Sequence, residues 1–326
     1  MERYMTFALI LPVAIWGVNE HYNWRTAAKV LAISSAVSVF VYIIAITILY
    51  HSAETPTLPA WQTDYHNWFE CFAANSSCLK HRLFWCTTLL MSIILAVQVW
   101  RNKPQIWIPL AVISLSAIPL SGSRQMIFSL AAVIIIAIIY FLTTLNIKRS
   151  TLVVSTILTV FAILAIGTLV FINHPRMKEM LQGDVTIQQL ALKEPRVAIW
   201  QQALSSPEDY FWKGLGGGQS VQYLEVKYNA HYMEYYSLMH YHAHNQYLEE
   251  LMELGIFGLL LFIVAWLSII ACSKGQGRTT AIYFVTIFML NMLTDCMWGK
   301  FDGIAIFAIV MILILMQSKS DEIERK

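Results

Sequence analysis

The sequence predicts an all-α protein that crosses a membrane several times. Hydrophobic residues make up 57% of the 326 residues and charged residues only 13%, whereas soluble domains are about 45–50% apolar and about 25% charged. The apolar residues also form blocks that match the ~17–25 residues of a bilayer-spanning helix. Lys and Arg total 22 against 20 Asp and Glu, so no basic excess indicates nucleic-acid binding. A soluble enzyme, a disordered chain and a DNA-binding protein are excluded.

Nine apolar blocks are candidate membrane-spanning helices, and their interruptions by Ser, Thr or Gly are compatible with such helices. The first block lacks a basic start and a small-residue cleavage site, so we do not interpret it as a signal peptide. The predicted spans are 4–18, 28–50, 83–100, 105–121, 125–145, 151–172, 247–271, 279–297 and 303–317.

Basic residues in the short connections predict the orientation, because cytoplasmic loops carry an excess of Lys and Arg. One side has Arg25, Lys29, Arg101, Lys103, Lys148, Arg149, Lys274, Arg278, Lys319, Arg325 and Lys326. The short connections of the other side have only Arg3, Arg124 and Lys300. The first side is therefore predicted to be cytoplasmic, and nine crossings then place the N-terminus outside.

This orientation divides the chain into three parts. Residues 1–172 form N-terminal transmembrane helices with an outer loop at 51–82, residues 173–246 form a large periplasmic loop, and residues 247–326 form C-terminal transmembrane helices and a short cytoplasmic tail. Cys71 and Cys78 lie in the first outer loop, where an oxidising periplasm permits a disulfide. Their pairing is left open. Cys86, Cys272 and Cys296 lie in or beside spans and are interpreted as apolar fillers.

The large outer loop contains a helix signal followed by a glycine cluster. PRVAIWQQAL at 195–204 predicts a helix with Val197, Trp200 and Leu204 on one face and Arg196 at its margin. Arg196 is either solvated, paired with Glu194, or a contact for an anionic partner. Glycines follow at Gly214, Gly216, Gly217 and Gly218. They form either a flexible turn or a place where backbone amides approach an anionic group.

Two further sites carry candidate chemistry. Arg124 ends the motif SGSR at the outer junction of two spans, where it is either an interfacial anchor or a bidentate phosphate contact. The stretch Tyr223 to His244 is rich in Tyr and His, which is typical of an interfacial belt and equally of a surface that stacks sugar rings.

The run from His240 to Asn245 precedes the seventh span. Its alternating histidines suggest a zinc site, but no cysteine accompanies them. Asn245 is a good N-cap for a helix beginning there, whose free amides favour anions. A neutral histidine at this position is suited to general-base catalysis, the alternative being a polar residue at the membrane interface.

The predicted outer location limits the chemistry, because no nucleotide triphosphate is present there. A reaction on this side needs an activated substrate, such as a polyprenyl-pyrophosphate sugar. Two arginines and a base suit a pyrophosphate leaving group and a hydroxyl acceptor. Asp295 and Asp302 are isolated from each other in the predicted topology, so we expect no metal and no cofactor.

These residues together resemble the O-antigen ligase and polymerase superfamily. The pattern His244-Asn245, nine residues, Gly255, two residues, Gly258-Leu259 resembles its signature. The upstream motifs SGSR, PRVAIWQQA and GLGGG occur in the family's order. The resemblance implies a GT-C-like, metal-independent, inverting glycosyltransferase that uses an undecaprenyl-pyrophosphate-linked glycan. His244 would be the general base, and Arg124 and Arg196 would stabilise the departing pyrophosphate.

The resemblance leaves the acceptor open. The first expectation is ligation to lipid A-core in lipopolysaccharide biosynthesis at the bacterial inner membrane. Polymerases and protein O-oligosaccharyltransferases share the motifs, and a transporter of lipid-linked glycans is the alternative from another class. Family members commonly have about twelve spans, so nine suggest a truncated or shorter variant. We assign substrate binding to Asn245, Gly216, Gly217, Gly218, His242 and Tyr241.

Overall fold

The computed structural model describes residues 23–51, 71, 81–144 and 195–323. Within these ranges the chain forms helices and turns and no strand, which confirms the all-α prediction for them. The α-helices are α1 (Trp24–His51), α2 (Arg82–Val99), α3 (Pro104–Leu120), α4 (Arg124–Thr144), α5 (Pro195–Ala203), α6 (Ser220–Ala230), α7 (Glu234–Leu238), α8 (Gln246–Cys272), α9 (Gly275–Met292) and α10 (Phe301–Ile323).

Among the described residues, four helices are long and apolar enough to cross a membrane, namely α1, α2, α8 and the part of α10 from Phe301 to Ser320. The apolar helices Pro104–Leu120 and Gln125–Tyr140 are shorter. The predicted spans 4–18 and 151–172 lie outside the described residues, and so does Cys78, whose pairing with Cys71 was left open. The number of nine crossings and the GT-C-like architecture therefore stay predictions.

The chain divides into two compact units, and the first contains residues 1–130, 267–291 and 297–326. Inside it, α1 packs on α2 through the Tyr42 and Trp85 rings, which stack with their centroids 3.9 Å apart. The Trp85 Nε1–H also donates to the Ser38 hydroxyl at 2.8 Å. Such bonds between helices satisfy polar groups that an apolar bundle would otherwise leave without a partner.

A second set of hydrogen bonds in this unit holds the start of α4. The buried Asn291 amide donates to Thr87 Oγ1 at 2.9 Å and accepts from the Ser129 hydroxyl at 2.9 Å. Gln125, the second residue of α4, donates to the Leu290 carbonyl at 2.6 Å. These contacts fix the helix end at which Arg124 stands.

The second unit contains residues 131–266 and 292–296. Its apolar core lies between α5, α6 and the start of α8. Two tyrosine hydroxyls bond to the backbone of segments that connect these helices. Tyr210 donates to the Ala203 carbonyl at 2.7 Å and Tyr228 to the Tyr241 carbonyl at 3.3 Å. The buried members of this core are Ile199, Ala203, Tyr210, Leu224, Tyr228, Ala243, Leu248 and Met252.

The face predicted for the helix at 195–204 from Val197, Trp200 and Leu204 is confirmed only in part, because Trp200 packs against the apolar core of the second unit. The buried residues of the helix are Ala198, Ile199 and Ala203, whereas Leu204 lies beyond the helix and is 56% exposed. Small alanine side chains thus occupy buried positions that a search for large apolar residues at helical spacing passes over.

A kink in α8 connects this helix to the glycine loop at 211–216. Gly255 has φ 69° and ψ −174°, a backbone region that is essentially restricted to glycine. Backbone groups on either side of the kink form hydrogen bonds with the loop instead of within the helix. The Leu215 amide donates to the Met252 carbonyl at 2.8 Å, and the Ile256 amide donates to the Phe211 carbonyl at 2.7 Å. A Cβ at position 255 would lie 2.6 Å from the Trp212 carbonyl oxygen.

Gly255→Ala is therefore expected to destabilise the protein by about 2 kcal/mol or more, since the backbone conformation alone costs about 1–3 kcal/mol for other residues. Gly218→Ala is the matched control, because its φ is +80° but a Cβ there meets no atom within 4 Å. Thermal unfolding of the purified full chain in detergent compares the two. Equal losses of stability in the two variants would show that close contact with the loop is not the reason for a glycine at position 255.

Candidate functional site

His244 is held in a strained backbone conformation directly before α8. Its φ is 48°, a left-handed value that costs free energy for a residue with a Cβ. The next residue, Asn245, caps α8, because its side-chain oxygen accepts the Leu248 amide hydrogen at 3.1 Å. The predicted helix start is thus confirmed. Such a conformation persists only where the surrounding contacts hold the residue in place.

The His244 ring faces the buried carboxylate of Asp295. The two atoms Nδ1 and Oδ1 are 3.6 Å apart, with 21% of the His244 side chain and 2% of the Asp295 side chain exposed. Nδ1 is itself buried and has no hydrogen-bond partner within the described part of the chain. The separation exceeds a hydrogen bond, so the ring and the carboxylate are in close contact inside a buried site without being hydrogen-bonded.

Asp295 is oriented by its own loop, since the Cys296 amide donates to Asp295 Oδ1 at 2.9 Å. The contact of Asp295 with His244 was not predicted from the sequence, where Asp295 was compared only with Asp302. The available signal was the position of Asp295 at the end of a predicted span on the same side as His244.

Cys296 was interpreted as an apolar filler, but in the structure it makes a polar contact. Its buried thiol donates to Glu249 Oε2 at 3.2 Å. Glu249 and Glu253 lie one turn apart on α8, and the buried Ser220 hydroxyl lies 3.2 Å from Glu249 Oε1 and 2.8 Å from Glu253 Oε1. Polar side chains thus continue from the loop at 295–296 along the first turns of α8.

His242 lies beside His244, with ring centroids 4.1 Å apart, and its Nδ1 accepts the His244 amide hydrogen at 3.1 Å. His240 is separated from this pair, because its Nδ1 contacts Glu225 Oε1. The predicted run of alternating histidines therefore does not present one common face.

In the part of the chain that the structure describes, two side-chain sets have the residue types and spacing to hold a metal ion. They are His242 with His244 and Asp295, and His242 with Glu249 and Cys296, with the ligand atoms of each set within 4.8 Å of one another. Both sets depend on His242. A neutral ring that accepts a hydrogen bond at Nδ1 carries its proton on Nε2, so it offers no free lone pair to a metal. Either set would need His242 to release the His244 amide.

Arg196 stands in the first turn of α5 and is partly exposed. The helix is tied to the histidine segment by one hydrogen bond, from Trp200 Nε1 to the Ala243 carbonyl at 2.9 Å. The structure thus brings the helix of Arg196 against the residue that precedes His244. Arg124 is the first residue of α4 in the other unit, and its convergence with Arg196 and His244 stays a prediction.

The glycines that were predicted to contact the substrate differ in whether their backbone is already bonded within the protein. The Gly216 amide donates to the Glu253 carbonyl at 3.0 Å, so this amide is used within the protein. Gly217 and Gly218 are exposed. Tyr241 contacts the His244 ring, with centroids 5.7 Å apart, which puts it beside the candidate base.

A protein-family model described as O-antigen ligase matches residues 109–263. The matched segment includes Arg124, Arg196 and His244, so the predicted resemblance to this superfamily is confirmed over the segment that carries the motifs. A comparison with curated proteins gave no match.

Trp200→Phe is expected to keep the ring packing but lose the bond to the Ala243 carbonyl, a loss of about 1 kcal/mol. The histidine segment should then exchange its amide hydrogens faster, and any activity that needs His244 should fall several-fold. Hydrogen–deuterium exchange of residues 240–245 measures the first effect. Trp212→Phe is the control, since Trp212 is 65% exposed; the same change in both variants would contradict the assignment.

Proposed function

We propose that this chain, which carries an O-antigen ligase domain at residues 109–263, is a membrane glycosyltransferase. It transfers a glycan from undecaprenyl pyrophosphate to a hydroxyl group at the periplasmic face of the bacterial inner membrane. The acceptor is lipid A-core, which makes the reaction the O-antigen ligation step of lipopolysaccharide biosynthesis. The observation that carries the proposal is the buried contact between His244, which lies in the matched segment, and Asp295, which follows it in the chain.

His244 acts as the general base. Its Nδ1 faces Asp295, which leaves Nε2 to accept the proton of the acceptor hydroxyl. In serine hydrolases a carboxylate hydrogen-bonded to Nδ1 supports a catalytic Nε2, and here the corresponding atoms Nδ1 and Oδ1 are 3.6 Å apart. Asp295 then stabilises the imidazolium that forms when the proton arrives.

The acceptor oxygen attacks the anomeric carbon as the bond from this carbon to the pyrophosphate oxygen breaks. The electron pair of that bond leaves with undecaprenyl pyrophosphate, and attack from the opposite face inverts the anomeric configuration. Arg124 and Arg196 stabilise the growing negative charge of the leaving group, because a guanidinium binds phosphate oxygens in a bidentate manner. The remaining proposed substrate contacts are Asn245, Gly216, Gly217, Gly218, His242 and Tyr241, with Gly216 acting through its backbone only if its bond to Glu253 opens.

Polymerisation of repeats on the lipid carrier is the second candidate, with protein O-glycosylation as a related one. The residues and bond changes are the same, and only the hydroxyl acceptor differs. Transport of the lipid-linked glycan, the alternative from another class, needs neither a base nor inversion, so substitution of His244 separates it from the other three.

His244→Ala is expected to lower kcat by about 10²–10⁴-fold, the usual contribution of general-base catalysis. Asp295→Asn should lower kcat by a smaller factor, about 10-fold or more, with KM little changed, because the ring remains but its charge is no longer stabilised. Initial rates of glycan transfer in proteoliposomes, with insertion checked for each variant, measure both effects.

Asp302→Asn serves as the control for the loss of one carboxylate, since Asp302 stands in the first turn of α10. It should leave kcat unchanged. Unaltered transfer by His244→Ala would end the general-base assignment, and equal losses in Asp295→Asn and Asp302→Asn would end the pairing of Asp295 with His244.

A further inference from the structure

A line of aromatic rings connects an exposed part of the second unit to His244. The Tyr235 ring contacts the Tyr241 ring at a centroid distance of 6.1 Å, and the Tyr241 ring contacts His244 at 5.7 Å. Tyr236 supports Tyr241 from the side at 5.5 Å. Tyr235 is 62% exposed, whereas Tyr241 is partly buried. The line therefore leads from solvent to the candidate base.

The backbone holds these rings in place. The Tyr241 amide donates to the Tyr236 carbonyl at 3.2 Å, and the Tyr241 carbonyl accepts from the Tyr228 hydroxyl at 3.3 Å. Left-handed turns at Tyr232, with φ 57°, and at His240, with φ 50°, lie on either side of α7. The backbone that carries these tyrosines is thus held by a short helix between two left-handed turns.

The shape and chemistry of this line suit a sugar. A tyrosine ring offers an apolar face with negative electrostatic character and a hydroxyl at its edge. One face of a pyranose offers C–H groups and its rim offers hydroxyls. Polar side chains lie close by, because His240, the residue before Tyr241, contacts the Glu225 carboxylate through its Nδ1. An interfacial belt would turn its rings outward, whereas Tyr241 faces His244.

We propose that Tyr235 and Tyr241 form a subsite that stacks a pyranose ring of the glycan substrate next to His244. The proposal rests on the proposed function for the identity of the glycan. Tyr235 binds a sugar farther from the reacting atoms, and Tyr241 orients the sugar adjacent to the base. The sugar belongs either to the donor glycan or to the core oligosaccharide of the acceptor.

Tyr235→Ala, Tyr235→Phe and Tyr232→Ala test the subsite. Tyr232 is the matched control, because it is 93% exposed and lies outside the line of ring contacts. In transfer assays with the full chain in proteoliposomes, Tyr235→Ala should raise KM by about 3–10-fold, the range of an aromatic contact, with kcat little changed. Tyr235→Phe keeps the ring and should stay within about 2-fold of the parent protein, as should Tyr232→Ala.

Two series of transfer assays identify the source of the sugar. One series varies the concentration of the donor glycan and the other that of lipid A-core. The substrate whose KM rises in Tyr235→Ala is the one that the subsite binds. A KM unchanged by Tyr235→Ala in both arms would overturn the subsite. An equal effect of Tyr232→Ala, together with poorer membrane insertion of both variants, would also overturn it and indicate an interfacial belt.

A binding measurement separates this proposal from the proposed function. Saturation-transfer NMR of the protein in nanodiscs uses two soluble probes, a core oligosaccharide and a repeat-unit oligosaccharide. Binding that is lost in Tyr235→Ala but kept in Tyr232→Ala supports the subsite even if no transfer occurs. Transfer without any detectable binding of either probe would overturn the subsite and leave the glycosyltransferase proposal standing.

Discussion

The second unit depends on the hydrogen-bonded junction between the glycine loop and the kink of α8. A straight helix would use the carbonyl of Met252 and the amide of Ile256 internally, but here both bond to residues of the loop. Only a glycine adopts the backbone conformation that residue 255 requires. The junction keeps the first turns of α8 close to the loop, so the buried carboxylates of these turns and the capped start of the helix occupy fixed positions.

This fixed start explains why a histidine tolerates a left-handed backbone. The Asn245 cap holds α8 on one side of His244, and the bond from Trp200 to the Ala243 carbonyl holds the chain on the other. With both neighbours fixed, the ring remains directed at Asp295. The cost of the strained backbone is thus offset by contacts that neighbouring residues make. We propose that this fixed conformation presents the His244 Nε2 to an acceptor hydroxyl without a costly rearrangement of the base.

Local features were predictable from the sequence, whereas contacts between distant residues were not. The start of α8 followed from the side chain of Asn245 and needed no tertiary information. The contact of His244 with Asp295 joins residues far apart in the chain, so spacing within a motif does not reveal it. The face of α5 was predicted only in part, because periodicity selects the large Trp200, which packs against the core, and passes over the buried Ala198 and Ala203.

Identification of the reaction product decides whether this chain transfers a glycan and to which acceptor. The purified chain is reconstituted with an undecaprenyl-pyrophosphate-linked glycan and lipid A-core, and mass spectrometry identifies the molecule that carries the glycan afterwards. We expect glycan attached to lipid A-core, with the opposite anomeric configuration from the donor and with release of undecaprenyl pyrophosphate. Glycan lengthened on its own carrier would contradict the ligase assignment and indicate a polymerase, and intact donor moved across the bilayer without any new glycosidic bond would contradict the enzyme itself.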